Sequence, residues 1–233
     1  MYYDLHLHSC LSPCAEDEMT PNNICNMAML KGLDLIALTD HNSTKQLPAF
    51  AKVADSLGLS VLYGCELESA EEVHVLGLFN QLEKALRFQE WIDEKLPFIQ
   101  NDENYFGKQE ICNEKDEVIE KLQGLLIVSL NASLEACVQA IHDYGGKVIL
   151  AHVLDRQNSI THQLGFIPQD LAYDGIEVKK EEEIERVLKM HPWIQKDSTH
   201  WFIDSDAHRL VDMSEKEHAM EDSVYQMLWG DTT

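Results

Sequence analysis

Short apolar segments alternate with helix-like segments along most of this chain, and the apolar segments end in histidine or acidic residues. Residues 35–38 precede Asp40 and His41, for example, and residues 147–151 precede His152. Strands that alternate with helices are typical of parallel βαβ units. The carboxyl ends of parallel strands meet at one face, where loops carry the functional groups. The pattern therefore predicts an α/β fold with a polar site at that face.

Seven strands are predicted from the apolar segments, and proline, glycine and apolar periodicity place helices between them. The predicted strands cover residues 3–8, 35–38, 60–63, 73–79, 147–151, 175–178 and 201–203. The predicted helices cover residues 20–32, 48–57, 82–96, 134–144 and 181–190, with a further helix after Ser214. This set predicts a TIM-like (β/α)7 barrel that occupies residues 1–233 as a single domain.

Residues 97–121 interrupt this regular alternation, because they are polar, charged and weakly periodic. They are predicted to form an insertion that carries one or two helices, and they are a candidate lid. His74 is also irregular, since it lies at the start of its strand rather than after the end. A short antiparallel hairpin of the third and fourth strands would bring His74 to the same face as the other histidines.

Two pairs of candidate metal ligands lie near opposite ends of the chain. His6 and His8, and likewise Asp206 and His208, are each two residues apart. Residues i and i+2 of a strand point to the same side, so each pair can address a single point. Further candidates lie between the pairs: Asp40, His41, Glu66, His74 and His152. Imidazole and carboxylate ligands together suit zinc, manganese or iron.

Each candidate also has a structural explanation that needs no metal. A single His-x-His pair on an exposed strand is more often incidental than a metal site. Asp40 could cap the helix that follows it, and His74 and His152 could be core histidines bonded to the backbone. Taken together at predicted strand ends, however, the same residues favour a metal centre.

The charge balance limits the possible partners of the chain. With 18 basic and 41 acidic residues the formal net charge is −23, so binding of an extended nucleic acid is not expected. A phosphate ester is still compatible, because bound cations can reverse the local field.

The six cysteines are scattered, and no apolar stretch is long enough to span a membrane. These features predict a cytoplasmic protein with reduced thiols.

The order of these motifs resembles the PHP superfamily, which is named after polymerase and histidinol phosphatase. The matching segments are His6-x-His8, Thr39-Asp40-His41, Gly64-Cys65-Glu66, His74-Val75-Leu76-Gly77, Ala151-His152 and Ser205-Asp206-Ala207-His208-Arg209. They extend over nearly the whole chain. The resemblance implies a distorted seven-stranded barrel and a site of two or three divalent metals that cleaves phosphate esters.

The resemblance also implies which side chains hold the first two metals. One metal would be held by His6, His8, Glu66 and Asp206. A second would share Glu66 as a bridging carboxylate and add His74 and His152.

A third metal would use His41 and His208 with a side chain from the loop after the first strand. The candidates in that loop are Cys14, Glu16 and Asp17. Glu16 or Asp17 would be a hard oxygen ligand, whereas Cys14 would be a soft ligand that favours zinc.

The implied activity is hydrolysis of a phosphate ester by a metal-bound hydroxide that attacks phosphorus. Glu66 and Asp206 would be catalytic through the metals they hold. Arg156 is predicted to contact the substrate phosphate, with Arg209 and Lys179 as rival cations. A small phosphomonoester or a nucleotide is the expected substrate.

Three other functions stay open from the sequence. A nuclease or exonuclease of the same superfamily would use the same motifs. A metal-dependent amidohydrolase also uses His-x-His on its first strand, although Glu66 and the Asp206-x-His208 pair favour the phosphoesterase. A non-catalytic metal-binding domain is disfavoured, because every implied ligand outside the loop after the first strand is present.

Overall fold

A curled seven-stranded sheet forms the centre of the molecule. The computed structural model describes residues 1–154 and 156–230. The strands are β1 (Tyr3–Leu7), β2 (Leu35–Leu38), β3 (Ser60–Glu68), β4 (His74–Phe79), β5 (Glu110–Cys112), β6 (Val118–Lys121), β7 (Lys147–Leu150), β8 (Gly175–Glu177) and β9 (His200–Phe202). The large sheet has the order β1-β2-β3-β4-β7-β8-β9, and β5 and β6 form a separate pair. The predicted α/β fold is confirmed.

Helices lie in the connections that the sequence assigned to them, and residues 160–163 form a further short helix that the sequence did not predict. They are α1 (Pro21–Lys31), α2 (Leu47–Leu57), α3 (Leu82–Lys95), α4 (Leu134–Asp143), α5 (Ile160–Gln163), α6 (Glu182–Met190) and α7 (Asp222–Trp229). Local signals set the ends of α1, because the Thr20 side chain accepts a hydrogen bond from the backbone N–H of Asn23. At the other end Gly32 adopts a left-handed φ of 73° that favours glycine.

The fourth strand runs against its neighbours. β4 is antiparallel to both β3 and β7, whereas the other pairs of the large sheet are parallel. The predicted hairpin of the third and fourth strands is therefore confirmed. β3 extends well past residue 63, because its pairing with β4 continues from Tyr63 opposite Phe79 to Glu68 opposite His74. Glu66 consequently lies within β3, and the prediction that it follows the end of a strand is wrong.

The first strand also approaches the segment that follows the last strand. Leu7 and Ala207 form a parallel bridge. The backbone N–H of His8 donates to Ala207 O at 3.0 Å, and the Ala207 N–H donates to His6 O at 3.2 Å. These bonds bring the two His/Asp pairs from opposite ends of the sequence to the same place.

Both faces of the large sheet are covered. Leu35 and Ala37 of β2 belong to one buried cluster with Trp229 of α7, and Ile36 and Leu38 belong to a second cluster with the helices that follow the first strands. Alternate residues of a strand point to opposite faces, so this division explains why the strands read as continuous apolar runs. Within the described residues, no helix is both long and apolar enough to cross a bilayer.

The insertion at residues 97–121 contains the β5–β6 hairpin and no helix among the elements found there. The predicted helices in this segment are therefore wrong. Asn113 explains the difference, because its side-chain oxygen accepts the backbone N–H groups of Lys115 and Glu117 and closes the turn. The buried Gln46 then pairs with both backbone groups of Cys112, each at 2.9 Å. A lid function for this segment stays a prediction.

Candidate metal centre

Eight of the predicted ligands converge at the carboxyl ends of the parallel strands. The ligand atoms of seven of these residues form three groups, and within each group all atoms lie within 4.8 Å of one another. The groups are His6, His8, Glu66 and Asp206; His41, Glu66 and His74; and His8, His41 and His208. His152 also contacts Glu66. Distant parts of the chain thus supply one continuous cluster of imidazoles and carboxylates.

The Glu66 carboxylate lies at the centre of this cluster and is only 1% exposed. Its Oε1 is 2.8 Å from His74 Nδ1 and 3.1 Å from His152 Nε2. Its Oε2 is 3.0 Å from His41 Nδ1 and 3.4 Å from His8 Nε2. The two oxygens of one carboxylate therefore face different imidazoles.

Hydrogen bonds outside the cluster orient the ring of His8. The Ser12 hydroxyl donates to Asp40 Oδ1 at 2.7 Å, so its oxygen is free to accept from His8 Nδ1 at 3.1 Å. Asp40 also accepts the backbone N–H and the hydroxyl of Ser9, each at 2.7 Å. Asp40 therefore anchors the loop after β1. The alternative that it caps the next helix is wrong, because Gln46 occupies that cap position.

Two of the predicted ligands have strained backbones. His152 has a φ of 27° and Asp206 a φ of 54°, in the left-handed region that residues other than glycine rarely adopt. His208 Nδ1 lies 2.9 Å from the backbone oxygen of Asp206, to which it donates. Such strain is typical of functional sites, where surrounding contacts maintain it.

The histidines and carboxylates shift one another's ionisation. Burial alone would lower the pKa of His74, but the Glu66 carboxylate raises it to about 9. Burial likewise opposes ionisation of Glu66, yet the facing histidines, His74 first among them, hold its pKa well below the ordinary value. Burial and the neighbouring His8 lower the pKa of His208 to about 3. The centre therefore keeps its carboxylate ionised and contains both cationic and neutral imidazoles.

The donor set fits divalent metal ions. Five buried atoms of the cluster form no hydrogen bond of acceptable geometry: His6 Nε2, His8 Nε2, Glu66 Oε2, His74 Nε2 and His152 Nδ1. Buried polar atoms are normally paired, so several unpaired atoms in one place require an explanation. Nitrogen and carboxylate oxygen donors of this kind match zinc, manganese or iron.

The grouping of the ligands differs in detail from the sets that the resemblance implied. The first implied set is found together, as His6, His8, Glu66 and Asp206. In the second, His41 joins Glu66 and His74, whereas His152 contacts Glu66 from outside that group. His8 joins His41 and His208 in the third.

The loop after β1 presents its candidate ligands unequally. Asp17 forms an ion pair with Lys108, and Glu16 lies exposed on the surface. Burial and His8 lower the pKa of His41, whereas Glu66 and then the nearby Cys14 raise it, and the net pKa lies above its ordinary value. Cys14 is exposed and lies near His41, and the backbone N–H of Glu16 donates to His208 O at 3.0 Å. A role for Cys14 as a metal ligand stays a prediction. Roles for Glu16 and Asp17 as metal ligands stay predictions.

Of the three candidate cations, Arg156 lies at the cluster. It forms an ion pair with Asp206 and lines a cavity of about 220 Å³ that opens onto Glu66. Arg209 instead pairs with Asp212 on the surface, and Lys179 is exposed.

Two residues that orient the ligands were missed in the sequence. Glu177 lies 2.8 Å from His6 Nδ1, and Ser12 connects His8 to Asp40. Glu177 ends β8 and is the last residue but one of the predicted strand 175–178, so an acidic residue near a strand end was visible in the sequence. Ser12 carried no comparable signal, because a serine in a loop has many ordinary roles.

Comparison with known proteins agrees with this geometry. The PHP domain family model matches residues 4–187. The chain belongs to the PHP domain family. A curated relative, the phosphoribosyl 1,2-cyclic phosphate 1,2-diphosphodiesterase of Eggerthella lenta, is 32% identical over 83 residues. The matched segment covers 34% of this chain and 30% of the relative.

Three solved structures share the fold of this chain. A proposed metal-dependent phosphoesterase from Bifidobacterium adolescentis has a TM-score of 0.63 and 19% identity, covering 98% of this chain and 95% of that one. A lesion-specific endonuclease from Pyrococcus furiosus has a TM-score of 0.58 and 20% identity, with coverages of 89% and 48%. An amidohydrolase from Chromobacterium violaceum has a TM-score of 0.56 and 21% identity, with coverages of 90% and 88%. At these identities the similarity establishes the fold alone.

Proposed function

We propose that this chain is a metal-dependent phosphoesterase that hydrolyses a small phosphomonoester, and that its curled sheet is the distorted (β/α)7 barrel of the PHP superfamily. The observation that carries the proposal is the buried Glu66 carboxylate, whose two oxygens face different imidazoles. A carboxylate in this position can bridge two cations about 3.5–4 Å apart, the spacing used for phosphoryl transfer.

Two or three zinc, manganese or iron ions are the proposed cofactors. When bound, such ions polarise phosphoryl oxygens, lower the pKa of water and stabilise the departing oxygen. The protein contributes the fixed positions of its ligands. His6 and His8 present Nε2 towards Asp206 Oδ1 at 3.4 and 3.3 Å, and their buried rings exclude bulk water from that side.

The cavity at the cluster is suited to a single phosphate group. It has a volume of about 220 Å³. Its lining residues are His41, Glu66, His74, His152, Arg156, Gln157, Asn158, Asp206 and His208. We propose that Arg156 exchanges part of its pairing with Asp206 for the substrate, because a guanidinium can bind two phosphate oxygens at once.

A second cavity of about 400 Å³ adjoins the first, since the two share His41, His74, Gln157 and Asn158. It adds Glu68, Glu72 and Ile127, and no lysine or arginine is among its described lining residues. A leaving group that carries hydroxyl groups but no negative charge would be accepted here. A second phosphate would be repelled, which favours a small monoester over a polynucleotide.

The proposal predicts that Glu66→Ala abolishes phosphatase activity. Metal-free protein is reconstituted with manganese, zinc or iron and assayed with p-nitrophenyl phosphate, sugar and nucleoside monophosphates, a phosphodiester and an amide panel. Loss of the bridging carboxylate removes the group that would fix the distance between the two metals, so we expect kcat to fall at least ~10³-fold. Glu90→Ala, on the exposed face of α3, is the control and should retain wild-type activity.

The other functions give distinct outcomes in the same assays. Turnover of amides without phosphate esters would replace the proposal with an amidohydrolase, and preference for phosphodiesters would replace it with a nuclease. Metal binding without any turnover would identify a non-catalytic domain. Near wild-type activity of Glu66→Ala would refute the bridging role.

A further inference from the structure

A buried carboxylate outside the proposed ligand set contacts two of the proposed ligands. Glu177 is the last residue of β8 and is 1% exposed. Its Oε2 accepts a hydrogen bond from His6 Nδ1 at 2.8 Å, and its Oε1 accepts the backbone N–H of His152 at 3.0 Å. His6 belongs to β1 and His152 follows β7, so one side chain connects ligands from two separate strands.

The first of these bonds determines which nitrogen of His6 can bind a metal. An ionised carboxylate only accepts hydrogen bonds, so the hydrogen of the neutral His6 ring must be on Nδ1. This leaves the lone pair on Nε2. Nε2 is also the atom that lies 3.3 Å from Glu66 and 3.4 Å from Asp206, and it has no hydrogen-bond partner.

The second bond maintains the backbone from which the His152 ring projects. His152 has a φ of 27°, a conformation that a residue with a side chain adopts only when its surroundings enforce it. The N–H of His152 is the group that Glu177 accepts, and His152 Nε2 in turn lies 3.1 Å from Glu66. Glu177 therefore holds two residues that face Glu66 from different strands, His6 and His152.

We propose that Glu177 is a positioning residue that fixes the tautomer of His6 and the backbone of His152, and so sets the metal affinity of the centre. The inference rests on the proposed function only in requiring that the centre binds divalent metal. Both partners of Glu177 are donors, so the residue must supply two acceptors. Glutamine supplies one acceptor and one donor, and its amide would either oppose an N–H or move the His6 hydrogen onto Nε2.

The test is zinc and cobalt binding by Glu177→Gln, measured by chelator competition without any substrate. We expect a 10- to 100-fold loss of affinity, the usual effect of removing a partner that orients a ligand. The visible spectrum of the cobalt-loaded variant should also differ from that of the wild type, because the coordination geometry changes.

Asp174→Asn is a matched control. Asp174 Oδ2 likewise accepts from a histidine ring, His142 Nε2 at 2.8 Å, and from a strand N–H, that of Val148 at 2.9 Å. It is in none of the three ligand groups of the described chain. Asp174→Asn should therefore leave the zinc affinity and the cobalt spectrum unchanged while it disturbs a histidine ring, a strand N–H and the ion pair with Lys147.

Wild-type zinc affinity and an unaltered cobalt spectrum in Glu177→Gln would overturn the proposal. If that variant does not fold, nitrogen-15 NMR of the zinc-loaded wild type decides, since His6 must carry its hydrogen on Nδ1. A hydrogen on Nε2 would overturn it. Absence of phosphatase activity with these metal effects intact would refute the proposed function and leave the role of Glu177 standing.

Discussion

In three histidines of the cluster, a hydrogen bond on one side of the ring determines which nitrogen on the other side is free. His6, His8 and His208 each use Nδ1 in a hydrogen bond, to Glu177, to Ser12 and to the Asp206 backbone respectively. In each case Nε2 is left as the atom that can bind metal. The sequence shows which residues are histidines, but the tautomer follows from partners that only the folded chain brings together.

The metal-free protein should lose stability as the pH rises through about 9, the pKa of His74. A raised folded-state pKa means that the protonated His74–Glu66 pair stabilises the fold fully below about 6.5, the unfolded value. Above the folded pKa this contribution, on the order of 3 kcal/mol, is lost. Urea unfolding of chelator-treated wild type and His74→Gln should therefore differ at pH 6 and converge near pH 10.

His142→Gln is the control for that experiment, because His142 lies outside the ligand groups of the described chain. An equal difference between wild type and His74→Gln at every pH would show that His74 acts by packing rather than by charge.

At the scale of the elements, the β5–β6 hairpin depends on one buried side chain. Gln46 donates to Cys112 O and accepts from Cys112 N, both at 2.9 Å. Gln46→Ala leaves these two backbone groups unpaired, at a local cost of ~1–3 kcal/mol each. We expect hydrogen exchange of residues 97–125 to accelerate at least tenfold while the large sheet stays protected.

Gln139→Ala is the comparison for the hairpin, because Gln139 makes a single exposed hydrogen bond to Asp143 on α4. Its exchange pattern should match the wild type. Unchanged exchange in Gln46→Ala would show that the apolar contacts of the hairpin hold it without this side chain. A hairpin that opens independently of the sheet is also what the predicted lid would require.

Elements with local signals could be predicted from the sequence. Thr20, Pro21 and Gly32 define α1 because capping and left-handed φ depend on the residue itself. The length of β3 could not be predicted, since it is set by pairing with β4. The β5–β6 hairpin was not predicted either. Its turn at Asn113 is local, but its position also depends on a contact with Gln46, which is distant in the sequence.

The candidate site was more predictable than its supporting residues. Candidate ligands such as Glu66 and His152 are recognisable by residue type and by their order along the chain. The loop after β1 was not resolved by the sequence, because Cys14, Glu16 and Asp17 are all plausible ligands by chemistry. The structure separates only Asp17 from the other two, because Asp17 forms an ion pair with Lys108 on the surface.

The whole molecule carries a field that opposes its proposed substrate. The formal net charge is −23, and two or three divalent ions would leave it strongly negative. The local field of bound metals would attract the substrate over short distances, whereas the repulsion of the whole surface acts during its approach. The rate of encounter with the substrate and the rate of the chemical step are therefore expected to respond differently to the salt concentration.

Raising the salt concentration from 10 to 150 mM should increase kcat/KM for an anionic monoester severalfold, because the Debye length shortens from about 30 to 8 Å and screens the repulsion. The gain should appear in KM, since kcat depends on groups already in contact with the substrate. Glu90→Lys reduces the negative charge at an exposed position of α3 without touching the cleft, so its salt dependence should be weaker. A fall in kcat/KM with salt would show instead that the metals and Arg156 attract the substrate from a distance, and that the net charge does not govern its approach.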